Sequence, residues 1–434
     1  MSLLKKIFSP SITIISFLLF FYVFYKSEIF WEGRQRDVYF IYYIITLILI
    51  FFSVITFFLN TKIKEYLIIS CLSIVVTLYL FETYLTFNKF SSKELKFKEK
   101  LYYKKTGKNW DNRRLFEIEK DLKTIDEKIV TRFYPIFFIK EENSFLPLSG
   151  ISNSRTIHCN ENGYYSIYES DRYGFNNPNE EWDSKKIEYL LVGDSYTHGA
   201  CVNRPNDISS VLRKLSGNSV LNLGFSGDGP LLQYATLREY FKPNVKKVLW
   251  LYYEGNDLTE LLNEKKNNLL KNYLNNKNFT QNLTLKQDKI DKFISNRLKA
   301  EKAKGLISKE FKIKKFIKLG KLRETLIYNP PASPAPEFQK TLRLAKNFIK
   351  KNNSKLYFVY LPEFKRYKYK YDEKNYKLVK NIVHELDIPF IDLHEELFLK
   401  EEDPLKFFPF KLLGHYNIDG YKRVAETIYK FSKR

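Results

Sequence analysis

Apolar positions fall in two patterns along this chain. Residues 8–25, 38–59 and 66–87 are almost continuously apolar. Each run is close to the ~20 residues a helix needs to cross a bilayer. These runs predict three transmembrane helices within residues 1–90. No small-residue cleavage site follows Tyr25, and two more runs come after it, so the first reads as an anchor, not a leader. Glu82, near the end of the third run, is expected to reach the interface. Residues 91–128 are highly charged at helical spacing and predict a juxtamembrane helix and linker. Residues 132–186 turn aromatic and rich in Gly, Asn and Pro, a mixed connecting segment in which 164–168 predicts a strand. From 187 onward, short apolar runs (189–192, 219–224, 247–253, 356–361, 388–392) alternate with amphipathic stretches (207–215, 231–241, 337–351, 374–386, 421–431). That alternation predicts strands and helices of an α/β domain with a parallel sheet. A lysine-rich stretch with few apolar anchors, 261–328, interrupts it and predicts an inserted helical hairpin or lid. The prolines between 330 and 336 close it as a stiff linker. The expected organisation is therefore 1–90 membrane, 91–186 connecting, and 187–434 an α/β domain carrying the insertion 261–336.

Charge narrows the partners. The net charge is +23, from 72 Lys+Arg against 49 Asp+Glu. The basic residues are scattered and carry no nucleic-acid module signature, so no nucleic-acid partner is expected. An anionic membrane surface or anionic glycan fits better, or the bias is compositional drift. Lys5, Lys6, Lys62 and Lys64 flank the spans on one side. Lys26, Arg34, Arg36, Lys89, Lys93, Lys96, Lys98 and Lys100 flank them on the other. Taken alone, that excess places the large domain in the cytoplasm. Of three cysteines, Cys71 lies in an apolar run; Cys159 and Cys201 are either a disulfide in an oxidising compartment or two buried thiols. With no Cys-x-x-Cys and five histidines lacking ligand spacing, neither a metal nor another cofactor is expected.

The candidate chemistry sits where predicted strands end. The first ends in Gly193-Asp194-Ser195, the second leads into Gly224-Phe-Ser-Gly227-Asp-Gly229-Pro230, and the third into Gly255-Asn256-Asp257. Parallel strands deliver all three ends to one rim, where ligands of open α/β sheets bind. A serine there can serve as nucleophile, a glycine N–H and an asparagine amide as oxyanion donors. Each also has an ordinary reading: Asp-Ser as a turn, Asn-Asp as a helix cap. The glycines run G-x-x-G-x-G, the reverse of a dinucleotide loop, and no Walker lysine follows. His415, just before the last helix, is the favoured base over His158, His198, His384 and His394. Arg172, Asn176 and Asn177 belong either to a loop lining a sugar site or to an edge hairpin packed on the sheet.

Gly193-Asp194-Ser195, Gly227, Asn256 and a late His415, in this order, resemble the SGNH (GDSL) hydrolase superfamily over roughly residues 187–434. The resemblance implies a flavodoxin-like three-layer α/β/α domain. Ser195 would be its nucleophile and His415 its general base. The Ser195 N–H, Gly227 N–H and Asn256 amide would form its oxyanion hole. The family places an aspartate two or three residues before the histidine; here Leu413 and Leu412 stand there. Asp419, Asp392 or Asp403 could substitute, or a carbonyl could orient a Ser-His dyad. The membrane runs resemble members that add or remove acyl groups on envelope polysaccharides. This implies a multi-pass protein of the bacterial inner membrane with an extracytoplasmic domain, against the charge count. It also implies an acylated glycan or lipid-linked sugar as substrate and a membrane acyl-donor protein as partner of the basic insertion. The competing reading is a catalytically inactive, membrane-tethered glycan-binding or scaffold protein.

Overall fold

The computed structural model describes residues 2–87, 90–139, 145–307, 313–326 and 332–433. Residues 330–331, part of the expected proline linker, lie outside them. The chain divides into two compact units, Met1–Glu94 with Glu310–Ser333, and Leu95–Lys309 with Pro334–Arg434.

In the first unit the three apolar runs are helices. They cover Ser2–Phe24, continued by a π-turn at Tyr25–Phe30, then Arg36–Ile55 and Thr61–Phe87. All three are long and apolar enough to cross a membrane. Serine and threonine hydroxyls in them bond to backbone carbonyls: Ser9 donates to Thr56 at 3.1 Å and Thr46 to Tyr42 at 2.9 Å. Glu82 is 1 % exposed, so it does not reach out to an interface. Its carboxylate instead accepts the backbone N–H groups of Lys321 and Leu322 at 2.9 and 2.8 Å, capping the short helix Gly320–Leu326. Tyr79 donates to the Ile317 carbonyl at 2.8 Å. The distal part of the basic insertion therefore packs on the third membrane helix.

The second unit holds two sheets. β1 (Ile129–Thr131), β2 (Arg155–Ile157) and β3 (Ile167–Glu169) form a small mixed sheet, so the strand expected at 164–168 begins three residues later. β4 (Ile187–Gly193), β5 (Ser219–Asn222), β6 (Val245–Tyr253), β7 (Lys355–Leu361) and β8 (Phe390–Asp392) form the main sheet. It is wholly parallel, in the order β5-β4-β6-β7-β8. Counted from β4 this is the 2-1-3-4-5 order of flavodoxin-like folds, and the order reverses between β4 and β6. The central strands read as continuous apolar runs because helices cover both faces. On one face Tyr189, Leu191, Leu249, Leu251, Val359 and Leu361 share a core with Tyr421, Val424, Ala425 and Ile428 of the last helix, Ile418–Ser432. Each such side chain contributes about 1.5–3 kcal/mol by leaving water.

The first half of the insertion is better anchored than its sequence suggests. Its helices Asn268–Asn275 and Gln287–Ile307 bury Leu270, Tyr273, Leu274, Ile290 and Ile294. Buried Glu239 holds the connection between them, accepting from the Tyr273 hydroxyl at 2.6 Å, the Gln281 N–H at 2.6 Å and the Leu283 N–H at 3.0 Å.

Beyond the end of β6, Glu254 and Arg366 form a buried pair at 2.6 Å, with side chains 4 % and 2 % exposed. Glu254 also accepts from the Tyr360 hydroxyl and the Glu363 N–H. Removing one partner strands a buried charge. Arg366→Ala is expected to lose about 3–5 kcal/mol, read as a drop in the denaturant midpoint of the α/β unit's transition.

Candidate active site

The turn after β4 is shaped by what fits between two glycines. A Cβ on Gly193 would lie 2.0 Å from Thr197 Oγ1, and one on Gly224 would lie 2.4 Å from Thr197 Cβ. Thr197 fills the space both leave empty, which lets the chain reverse sharply. Asp194 caps the single helical turn Ser195–His198 by accepting from the Tyr196 N–H at 2.9 Å. Ser195 is thereby held partly exposed at the carboxyl end of β4, beside the β4–β6 reversal. The loop before the last helix brings His415 to it, with Ser195 Oγ and His415 Nε2 at 2.9 Å.

The group behind His415 is Glu161. Its Oε1 is 3.0 Å from His415 Nδ1, and its Oε2 accepts the His415 backbone N–H at 2.6 Å. A carboxylate on Nδ1 keeps the proton on that nitrogen. Nε2 is then the acceptor and the Ser195 hydroxyl the donor. Burial opposes ionisation of Glu161, but the His415 charge and hydrogen bonds outweigh it and hold its pKa below the usual value. Burial likewise pushes His415 down, and Glu161, helped by Asp194, more than reverses this to leave its pKa raised. Both shifts describe one polarised pair.

None of the aspartates considered from the sequence faces His415. Asp392 accepts from the Tyr376 hydroxyl at 2.6 Å and from Lys380 at 3.0 Å. Asp403 caps Leu405 N–H at 3.1 Å and pairs with Lys411 at 2.5 Å. Asp419 lies exposed in the first turn of the last helix. Glu161 was missed because Asn160-Glu161-Asn162-Gly163 reads as a plain turn. The signal for it was Cys159, two positions earlier. Cys159 and Cys201 are joined as a disulfide with Cα atoms 4.9 Å apart, which places that turn beside the Ser195 turn. Glu161, Cys201 and His415 also form a compact group of potential metal-ligand types. The Cys201 sulfur is committed to the disulfide, however, which leaves a two-ligand set unsuited to zinc.

Gly227 and Asn256 stand at the ends of the loops following β5 and β6, either side of β4. Gly227 takes φ +89°, a conformation glycine adopts freely, and Tyr134 and Ile136 roof it. Asn256 precedes the helix Asp257–Glu264, but its side chain makes no capping bond. Two buried histidines set the Gly227 loop: His198 Nδ1 accepts the Ser226 N–H at 3.2 Å, and His158 Nε2 is 2.9 Å from Ser226 Oγ. Burial drives His198 down to about 3 and His158 well below its usual value, so both stay neutral.

Of the residues read either as lining a sugar site or as packing on the sheet, Asn176 and Asn177 are spent inside the protein, and Arg172 lies in a surface ion pair. Asn176 and Asn177 are 2 % and 1 % exposed. Asn176 donates to the His198 carbonyl at 2.9 Å, and Asn177 bonds the Asn222 N–H and carbonyl of β5 at 2.8 and 2.9 Å. Arg172 pairs with Asp183 at 2.5 Å. This loop packs on the edge strand of the sheet.

No protein-family model matches the chain, and no curated protein matches its sequence. Among solved structures it is similar to a lipase/acylhydrolase from Enterococcus faecalis, at 14% identity and TM-score 0.33, over 56% of this chain and 94% of that one. It is also similar to an acetylxylan esterase from Geobacillus stearothermophilus, at 14% identity and TM-score 0.31, over 57% of this chain and 96% of that one.

Gly224→Ala is expected to force Thr197 and the Ser195 turn apart, costing about 1–3 kcal/mol. A thermal melt measures this, and Thr197→Ala in the same chain should not restore the stability, because alanine keeps the Cβ that the new methyl meets at 2.4 Å and the His198 N–H stays at 2.8 Å.

Proposed function

We infer that this chain is a membrane-anchored serine esterase or O-acyltransferase acting through an acyl-serine intermediate. The carrying observation is the continuous relay Ser195 Oγ to His415 Nε2 at 2.9 Å, then Nδ1 to Glu161 at 3.0 Å. His415 takes the Ser195 proton as the oxygen attacks an acyl carbon. Glu161 holds the imidazole in the accepting tautomer and stabilises the imidazolium that forms. The Ser195 N–H, Gly227 N–H and Asn256 amide are the donors assigned to the oxyanion, each worth roughly 3–4 kcal/mol. His415 then returns the proton to the departing alcohol. Water entering next gives hydrolysis; a sugar hydroxyl gives transfer.

The substrate class in this reading is an acylated envelope glycan or lipid-linked sugar. The three apolar helices and the +23 charge support a site working near an anionic envelope surface. The disulfide supports an oxidising, extracytoplasmic compartment in a bacterial inner-membrane setting. A transferase would also need an acyl donor, and a membrane donor protein docking on the basic insertion is the partner proposed. The inactive-scaffold reading drew its force from the absent aspartate; with Glu161 on His415, no observation favours it.

Labelling of the full-length protein by a fluorophosphonate should occur in wild type and vanish in Ser195→Ala and His415→Ala. An unlabelled but folded wild type would count against an activated serine. The pH dependence has a definite sign. Only neutral His415 accepts the proton, so labelling should rise with pH through a midpoint above the ordinary histidine value. Glu161→Gln removes the charge that raises this midpoint. It should shift the rising limb to lower pH and slow the plateau by about 10⁴-fold.

A further inference from the structure

The Cys159–Cys201 disulfide joins the Glu161 turn to the Ser195 turn. Cys159 is two residues before Glu161, Cys201 is six residues after Ser195, and the bridge spans 42 positions. The Cys201 sulfur is 3.9 Å from His415 Nδ1, the nitrogen that Glu161 holds, and the Cys159 sulfur is 3.6 Å from His158 Nδ1. Asn162 Nδ2 donates to the Cys201 carbonyl at 2.9 Å, so the residues on both sides of Glu161 are tied to Cys201. Around this tie the chain leaves no slack. Gly163 has φ +93°, and a Cβ there would meet the Tyr102 ring at 2.4 Å. Gly163 N–H bonds Asn160 at 2.9 Å, and its carbonyl accepts the Asp111 N–H at 2.9 Å. A Cβ on Gly414 would lie 2.7 Å from Glu161 Oε2, which marks how closely the His415 loop approaches the acid.

Glu161 comes from a segment outside the main sheet, and no strand of that sheet carries it. An acid supplied this way needs a fixed link to the serine turn, because a displacement of about 1 Å in such a group can cost ~10²-fold in rate. We propose that the Cys159–Cys201 disulfide is the positioning element for Glu161, so that the Ser195–His415 pair works at full rate only in the oxidised chain. This rests on the serine-enzyme reading above. The disulfide does not touch substrate; it acts through Glu161 on His415. The other charged and titratable groups facing His415 are Asp194, Arg132, His158 and His198, with the Tyr196 ring 4.8 Å away. Of these, His158 touches the Cys159 sulfur, and reduction sets the Cys201 thiol beside His415 Nδ1, so the serine variant, which carries no thiol, is the primary test.

The test uses the full-length protein in detergent as wild type, Cys159→Ser/Cys201→Ser, Glu161→Ala and the three changes combined. Two quantities are read: the fluorophosphonate labelling rate of Ser195, and the titration midpoint of His415 from its imidazole NMR signals. The double serine variant should label about 10²-fold more slowly, and its His415 midpoint should fall toward that of Glu161→Ala. In the Glu161→Ala background, loss of the bridge should change either quantity by no more than about twofold. Unchanged labelling and midpoint in the folded double variant overturn the proposal. So do losses that multiply in the combined variant, since a merely structural bridge would act independently of Glu161. If the double variant does not fold, wild type is compared before and after reduction with dithiothreitol: a slower rate and a lower midpoint on reduction support the proposal, and no change in either overturns it. A wild type that never labels, while the His415 midpoint still falls on loss of the bridge, would remove the serine-enzyme reading and leave the positioning role intact.

Discussion

The contact between Glu161 and His415 spans 254 positions of sequence, and the rest of the site is arranged so that it can form. It requires the last loop of the α/β unit to meet a turn that precedes the first main strand. The parallel sheet fixes one end of that meeting, because β4 delivers Ser195 to the rim and the last helix, packed beside it, delivers His415. The disulfide and the Asn162–Cys201 bond fix the other. A carboxylate in this setting gains more from the imidazole than burial takes from it, so both partners shift in the directions that favour the ion pair.

Buried polar groups take the same supporting part elsewhere in the unit. His158 and His198 are kept neutral by burial, and each spends one ring nitrogen on Ser226, beside Gly227. Asp171 accepts from Tyr173, Phe175, Asn177 and Trp182, and so folds the 171–178 loop onto the edge strand. Glu254 and Arg366 close the region beyond β6 and β7. Asp171 and Glu254 carry satisfied networks where a lone polar group would be costly. In the membrane unit Glu82 follows the same rule, with backbone N–H groups as its partners.

The sequence by itself determined the three membrane-length helices, the five main strands and the strand ends that Ser195, Gly227 and Asn256 follow. Those follow from local period and length: about 20 apolar residues can only be satisfied as a helix in lipid, and short apolar runs between amphipathic stretches become buried parallel strands. It also set the order of serine and late histidine. Tertiary structure alone decided the rest. Glu161 gave no signal beyond the nearby Cys159, since a glutamate in an Asn-Gly turn looks solvated until a disulfide carries it to His415. Asn176 and Asn177 read equally as sugar ligands or as residues packed on the sheet, because amides bond sugars and backbones equally well, and only the fold spent them on β5 and His198. The insertion looked loosely held because its anchors, Leu270, Tyr273 and Ile290, are spaced among lysines whose stems and charges dominate the pattern. Which partner a polar side chain finds depends on contacts between distant segments, and a one-dimensional pattern carries no record of them.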